Sequence, residues 1–158
     1  MTAALTANSA DLLSYFRRRL QPEDAADALA DLMVTAWRRE RSMPSDALEA
    51  RLWLFGIARL VLANAQRGQL RRTRLGARLR ATLGAADAAA ASDHGIEVRD
   101  ALARLEPELA ELIRLVHWDG FSIAEAALLQ HLPASTARGR YQRAKQLLRE
   151  ALEPAKAT

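Results

Sequence analysis

The sequence contains no cysteine, which excludes a disulfide framework, a thiolate metal site and a cysteine nucleophile. It also lacks a long apolar run. The longest such stretch, residues 52–63, is interrupted by Arg59 and is too short to cross a bilayer. The first residues show no cationic start followed by an apolar segment, as an export signal would. We therefore expect a soluble, cytoplasmic protein without membrane insertion.

Residue types suited to catalysis or metal binding are scarce. The three histidines, His94, His117 and His131, lie far apart, and none is paired with a glutamate at the spacing of metal ligands. There is no glycine-rich phosphate-binding loop. The sequence thus predicts no enzymatic activity, no metal site and no cofactor, and it favours a packing or capping role for His117.

The two signs of charge are unevenly distributed along the chain. The formal net charge is +4, and the bases are 21 arginines and two lysines. Six arginines and no acid lie between Arg67 and Arg80, whereas residues 85–111 hold seven acids and two bases. This asymmetry predicts a polyanionic partner for part of the surface. A general bias of the chain toward arginine is the alternative for any single position.

Helical periodicity runs through the chain, and strand-like alternation is absent. We expect a first helix over residues 8–20, a second that begins at Pro22, a loop at 39–48 and a third helix over 49–72. The second helix carries one apolar stripe that we expect to be buried: Ala25, Ala28, Leu29, Leu32, Met33, Ala36 and Trp37.

Residues 73–96 differ in composition from the rest because they combine glycines with an alanine-rich run, which is typical of a linker, although the first half of the segment is also compatible with a helix. Beyond them helical periodicity resumes, with stops at Pro107, Gly120 and Pro133. The sequence therefore predicts an all-α protein of two small helical domains, residues 8–72 and 97–153, joined by a flexible linker.

The second domain contains the pattern of a helix-turn-helix. Ser122 followed by Glu125 is a capping box, which predicts the start of a helix that ends near Gln130. A second helix is expected to begin at residues 133–135, after a turn of about three residues. In this arrangement the second helix enters the major groove of DNA.

A helical wheel divides the second helix into two faces. The inward face is apolar and contains Ala137, Tyr141, Ala144, Leu148 and Ala151. The outward face carries no acid before Glu150 and contains Ser135, Arg138, Gly139, Gln142, Arg143 and Gln146. Arg and Gln suit bidentate hydrogen bonds to guanine and adenine, and hydroxyl groups suit phosphates, so the pattern favours DNA contact over an ordinary solvated face.

Longer stretches resemble a known family. The C-terminal promoter-binding domain of bacterial sigma factors is similar to "ALARLEPELAELIRLVHWDGFSIAEAALLQHLPASTARGRYQRAKQLLREAL". The N-terminal domain of the extracytoplasmic-function class is similar to "EDAADALADLMVTAWRR" followed by "RLWLFGIARLVLANAQRGQLRR". The resemblance covers about residues 8–153. It implies a protein that binds core RNA polymerase, directs it to promoters and helps open the DNA, that is monomeric when free, and that is commonly held inactive by an anti-sigma factor.

The resemblance also implies roles for individual residues. By this resemblance, core polymerase is expected to contact Asp27, Asp31 and Arg38. The minus-ten element and the separated strand are assigned to residues 41–72, with phosphate contacts or stacking by Arg51, Trp53, Arg59, Asn64, Arg67 and Arg71; Arg72 and Phe55 are further candidates there. The minus-thirty-five element is assigned to Ser135, Thr136, Arg138, Arg140, Gln142 and Arg143.

Several positions depart from the family pattern. Leu60 stands where asparagine is usual and Asn64 where aspartate is usual, which puts the usual minus-ten base preference in doubt. Ala30 replaces the usual glutamine of the second helix, and Gln130 stands at a position expected to be apolar. His131 occupies the usual glycine of the turn, where we expect the backbone to require a positive φ.

Two other functions are compatible with the sequence. A helix-turn-helix regulator that binds an operator without polymerase would be a dimer on a two-fold symmetric site. It would leave without a role the acids expected on the exposed side of the second helix, Asp24, Asp27 and Asp31. A mimic of a sigma factor would bind an anti-sigma factor or polymerase without binding DNA.

Overall fold

The computed structural model describes residues 1–83 and 94–152, with side chains described for 1–75 and 97–152. Within these ranges every regular element is a helix, which confirms the all-α prediction. A short 3-10 helix spans Glu40–Ser42, and the α-helices are α1 Thr2–Arg17, α2 Pro22–Arg38, α3 Ala47–Leu83, α4 His94–Arg104, α5 Pro107–His117, α6 Ile123–Leu129 and α7 Ala134–Leu152. The chain divides into two compact units, Met1–Asp87 and Ala88–Thr158.

The first unit packs α1, α2 and α3 around an aromatic core. Tyr15, Phe16 and Phe55 are completely buried. The ring of Tyr15 meets those of Phe16 and Phe55 edge-to-face, with centroids 5.5 Å and 5.4 Å apart, a geometry that adds to the stabilisation from burial. Asp46 caps α3, because its Oδ1 accepts hydrogen bonds from the backbone N–H groups of Leu48 and Glu49 at 2.9 and 3.0 Å.

Two helices are longer than the sequence predicted. The first helix, α1, begins at Thr2 rather than residue 8, and α3 continues to Leu83, so residues 73–83 of the predicted linker are helical. Arginine, alanine and leucine dominate that extension, and all three have high helix propensity. Residues 94–96 belong to α4, and the rest of the predicted linker, 84–93, lies outside the described residues.

The apolar stripe of α2 is narrower than predicted. Ala25, Ala28, Leu32 and Ala36 are buried, but Met33 and Trp37 are 38% and 59% exposed, so their assignment to the core is wrong. These two residues lie at the edge of the apolar arc, beyond the part that contacts α1 and α3. With Val34, which is 50% exposed, they leave an apolar patch on the outside of α2.

The second unit contains α4 to α7, and α6 and α7 form the predicted helix-turn-helix. The capping box is present: the Ser122 N–H donates to Glu125 Oε2 at 2.7 Å, and the Glu125 N–H donates to Ser122 Oγ at 3.2 Å. Together the two bonds satisfy free backbone donors at the start of α6. The core beneath the motif is formed by α5 and α7, with Leu112, Leu115, Ala137 and Ala144 buried.

His131 has the positive φ that the turn was expected to require, at 55°. Its N–H donates to the carbonyl of Leu128 at 3.1 Å, and the N–H of Leu132 donates to the carbonyl of Ala127 at 2.9 Å. These are the two bonds of a Schellman motif, which ends a helix with one left-handed residue. The backbone of the turn is therefore that of a glycine-containing turn, built with histidine.

Candidate nucleic-acid and partner interfaces

The outward face of α7 is exposed as the wheel predicted. Ala137, Tyr141 and Ala144 are buried against α5 and α6, whereas Leu148 is half-buried and Ala151 is exposed. The polar side chains on the opposite side are all exposed: Ser135, Thr136, Arg138, Gln142, Arg143 and Gln146. Tyr141 is held in place by His117, whose ring stacks on it at a centroid distance of 5.8 Å and whose Nε2 lies 2.9 Å from the tyrosine hydroxyl. The packing role expected of His117 thus fixes the orientation of α7.

Arg140, one of the predicted DNA contacts, is engaged within the protein. Its guanidinium forms an ion pair with Glu108 of α5. The side-chain amide of Gln130 also donates to the Glu108 carbonyl at 3.3 Å. Both contacts tie the helix-turn-helix to the start of α5. Sequence reasoning missed the pair because Glu108 and Arg140 lie 32 residues apart and no local pattern links them.

A second cationic surface lies along α3. Its outward side chains include Leu60, Asn64, Arg67 and Arg71, which are all exposed. Asn64 Oδ1 accepts a hydrogen bond from Arg67, so these two predicted minus-ten contacts act as one unit. No acid occurs from Ala50 to Leu75. Such an acid-free face suits the backbone of a nucleic acid.

Other predicted minus-ten residues are less accessible. Arg51 bridges α1 and α3, because its guanidinium contacts Asp11 at 2.7 Å and Asn8 at 2.9 Å and lies over the ring of Phe55. Trp53 is half-buried, and so is Arg59, one of whose terminal nitrogens is buried without an acceptor among the described residues. Phe55 is completely buried, so its suggested role as a stacking surface is wrong.

The predicted polymerase-binding residues lie on the outside of α2. Asp27, Asp31 and Arg38 are exposed. Asp24 instead accepts from Arg72 of α3 at 2.8 Å, so both members of this pair are engaged within the first unit. The exposed acids adjoin the apolar patch of Met33, Val34 and Trp37, a combination that the assignment of Met33 and Trp37 to the core had hidden.

The described residues contain neither a membrane-spanning helix nor a cluster of metal ligands. No helix among them has the length and apolar character needed to cross a bilayer. In the same part of the chain, no three His, Cys, Asp or Glu residues come together as metal ligands would.

Comparison with known proteins identifies a matching family and several similar structures, including those of RpoE and CnrH. Residues 96–148 match the model of the family Sigma-70, region 4. The sigma factor RpoE, solved in complex with the anti-sigma factor NepR from Bartonella quintana, is 24% identical with a TM-score of 0.67, over 98% of both chains. CnrH, solved in complex with the cytosolic domain of CnrY, is 21% identical with a TM-score of 0.66, over 97% of this chain and 86% of that one. No curated protein matches the sequence.

Proposed function

We propose that the chain is a sigma factor of the two-domain, extracytoplasmic-function class, which binds core RNA polymerase, directs it to specific promoters and assists their opening. The match of residues 96–148 to Sigma-70, region 4 and the fold shared with the sigma factor RpoE support this proposal. The observation that carries the proposal is that a match to sigma-70 region 4 and an exposed, acid-free helix-turn-helix face occur in the same residues. The region 4 match, residues 96–148, contains a capped helix-turn-helix whose outward α7 side chains are exposed and acid-free as far as Glu150.

The proposed upstream contact is the outward face of α7. Arg138, Gln142 and Arg143 have the donors and acceptors to read base edges in the major groove. Ser135 and Thr136, in the first turn of the same helix, suit phosphate oxygens. Arg140 would reach DNA only by exchanging or sharing its bond to Glu108, so we assign it a phosphate and not a base.

The proposed downstream contact is the outward side of α3. Arg67 and Arg71 would neutralise phosphates of the separated strand, with Asn64 held beside Arg67. Trp53, which is half-buried, would offer its indole as a stacking surface for an unpaired base. Arg51 and Arg59 would act mainly through the fold, since the first holds α1 against α3 and the second is half-buried.

The proposed polymerase contact is the exposed side of α2. Asp27 and Asp31 lie four residues apart, so their like charges disfavour the free helix slightly, and a basic partner would relieve that repulsion. Arg38 would add a contact of opposite sign at the end of the helix. The chain itself supplies binding and orientation, and polymerase performs the chemistry in the cytoplasm.

An anti-sigma factor is the proposed regulatory partner. RpoE, whose fold this chain shares, was solved bound to the anti-sigma factor NepR. The exposed apolar patch on α2 supports a protein partner, because desolvated aromatic and methionine side chains are common at the centre of interfaces.

Run-off transcription with core polymerase and a promoter library tests the proposal. We expect promoter-specific transcripts only when the protein is added. An operator-binding regulator would give none and would protect a two-fold symmetric site as a dimer. A sigma mimic would bind polymerase in a pull-down yet yield no transcript from any promoter.

A further inference from the structure

The outward face of α3 contains one side chain that a phosphate contact does not explain. Leu60 is 58% exposed and lies on the side of the helix opposite the buried residues Ala58 and Leu62. It is followed on the same side, about two turns later, by the exposed Arg67. An exposed leucine therefore lies on the same outward face of α3 as the cations Arg67 and Arg71.

A gap on the outward surface of α3 precedes Leu60. Gly56 lies one turn earlier on the same side, and a Cβ atom added there would meet nothing within 4 Å. Trp53, half-buried, lies almost one turn before Gly56. Trp53 and Leu60 are about 10 Å apart along the helix axis, so an indole and an isobutyl group border a gap that has no side chain of its own.

The charge around this gap suits a nucleic-acid strand. No acid occurs from Ala50 to Leu75, and Arg67 and Arg71 are exposed farther along the helix. A strand whose phosphates contact these arginines can place a base over the gap. An aromatic side chain accepts the face of any unstacked base, but an aliphatic one provides no hydrogen bond and selects only by shape and apolar contact.

We propose that Trp53, Gly56 and Leu60 form a seat for one unstacked base of the opened promoter strand, and that Leu60 favours thymine there through its C5-methyl group. This proposal rests on the proposed sigma function. Among the four DNA bases, only thymine carries a methyl group for an apolar side chain to contact. Removing one methyl group from water corresponds to about a fourfold preference.

Deoxyuridine tests the methyl contact directly, since it differs from thymidine only by that methyl group. On a promoter selected with the full-length protein and core polymerase, each thymidine of the opened non-template strand is replaced in turn, and the rate of promoter opening is measured. We expect one position at which the replacement lowers opening by about fourfold. The Leu60→Ala variant should lose that sensitivity. Leu70→Ala should keep it, because Leu70 is similarly exposed, at 55%, but lies off this side of the helix.

A second variant tests the gap itself. Gly56→Leu should fill the seat and lower both opening and the thymidine preference without a lower melting temperature, because a Cβ atom at this position would meet nothing within 4 Å and leucine favours a helix more than glycine does. Unchanged opening in this variant would contradict the seat.

Two results would overturn the proposal while leaving the sigma function intact. One is equal opening of thymidine and deoxyuridine promoters at every position, and the other is a Leu60→Ala variant that retains the wild-type sensitivity. Absence of any promoter-specific transcript would instead overturn the sigma function. In that event, binding of the full-length protein to single-stranded thymidine and deoxyuridine oligonucleotides decides the seat: a fourfold difference supports it, and equal affinity rejects it.

Discussion

Arg140 on α7 is ion-paired with Glu108 in the first turn of α5, so a cation of the proposed DNA-binding face is already neutralised in the free protein. The side chain of Arg140 is 35% exposed and that of Glu108 is 68% exposed. A pair this exposed contributes at most about 1 kcal/mol to stability. Its larger effect concerns the charge that approaching DNA meets.

Replacing Glu108 with Gln is therefore expected to lower the free energy of unfolding by less than about 1 kcal/mol and to raise the affinity for DNA of any sequence. If the released Arg140 meets a phosphate, the dependence of log affinity on log salt should steepen by about one unit. Fluorescence anisotropy at several salt concentrations measures both quantities. Glu97→Gln on α4 is the matched control, and a slope equal to that of the control would show that Arg140 does not reach phosphate.

The left-handed turn residue gives a prediction about stability. His131 pays about 1–2 kcal/mol for its positive φ, and glycine would not, although glycine also gains freedom in the unfolded chain that offsets up to about 1 kcal/mol. His131→Gly should thus raise the stability of the second unit by about 0.5 kcal/mol, measured by equilibrium urea unfolding. His131→Ala keeps the penalty and should give no gain. A less stable glycine variant would show that the imidazole contributes a stabilising contact.

The recognition helix should separate base readout from phosphate contact. Arg138→Ala or Arg143→Ala is expected to cost about 1–3 kcal/mol on the preferred promoter if the arginine is bidentate to a base. Binding to a scrambled upstream element should change little. Lys145→Ala, on the flank of the same helix beside Tyr141, serves as the control. Equal losses on both DNAs would identify a phosphate contact instead.

Local patterns in the sequence were sufficient to predict the helix-turn-helix. Ser122 and Glu125 form a capping box within one turn of helix, so the start of α6 could be predicted from spacing alone. The positive φ at His131 was expected from the resemblance, because the family usually has glycine at this position of the turn. The burial of Ala137 and Tyr141 likewise follows from helical periodicity.

Features that depend on the distance between helices were not predictable in this way. The wheel of α2 places Met33 and Trp37 next to buried residues, but the width of the buried arc depends on how closely α1 and α3 approach, which periodicity does not encode. The pairs Arg72–Asp24 and Arg51–Asp11 join residues 48 and 40 positions apart. Together with the Arg140–Glu108 pair, these contacts engage three arginines, Arg51, Arg72 and Arg140, that the sequence suggested were available to DNA.

The exposed acids of α2 distinguish a sigma factor from both other functions. Asp31 is exposed, so Asp31→Lys should leave the fold intact, and loss of its repulsion with Asp27 should stabilise the free protein by a few tenths of a kcal/mol, about 0.2–0.5. Against a basic polymerase surface the reversal replaces attraction with repulsion, which costs several kcal/mol.

The expected outcome for Asp31→Lys is a folded protein with an unchanged or slightly higher melting temperature that neither binds core polymerase in a pull-down nor supports run-off transcription. Glu40→Lys, the same charge reversal at an exposed position in the 3-10 helix after α2, should retain both activities. An operator-binding regulator would be indifferent to either change. A sigma mimic would lose its partner through Asp31→Lys but would not have driven transcription before the substitution. Normal polymerase binding by the Asp31→Lys variant would place the interface elsewhere, and failure of the wild-type protein to bind core polymerase, with no antagonist present, would refute the sigma function itself.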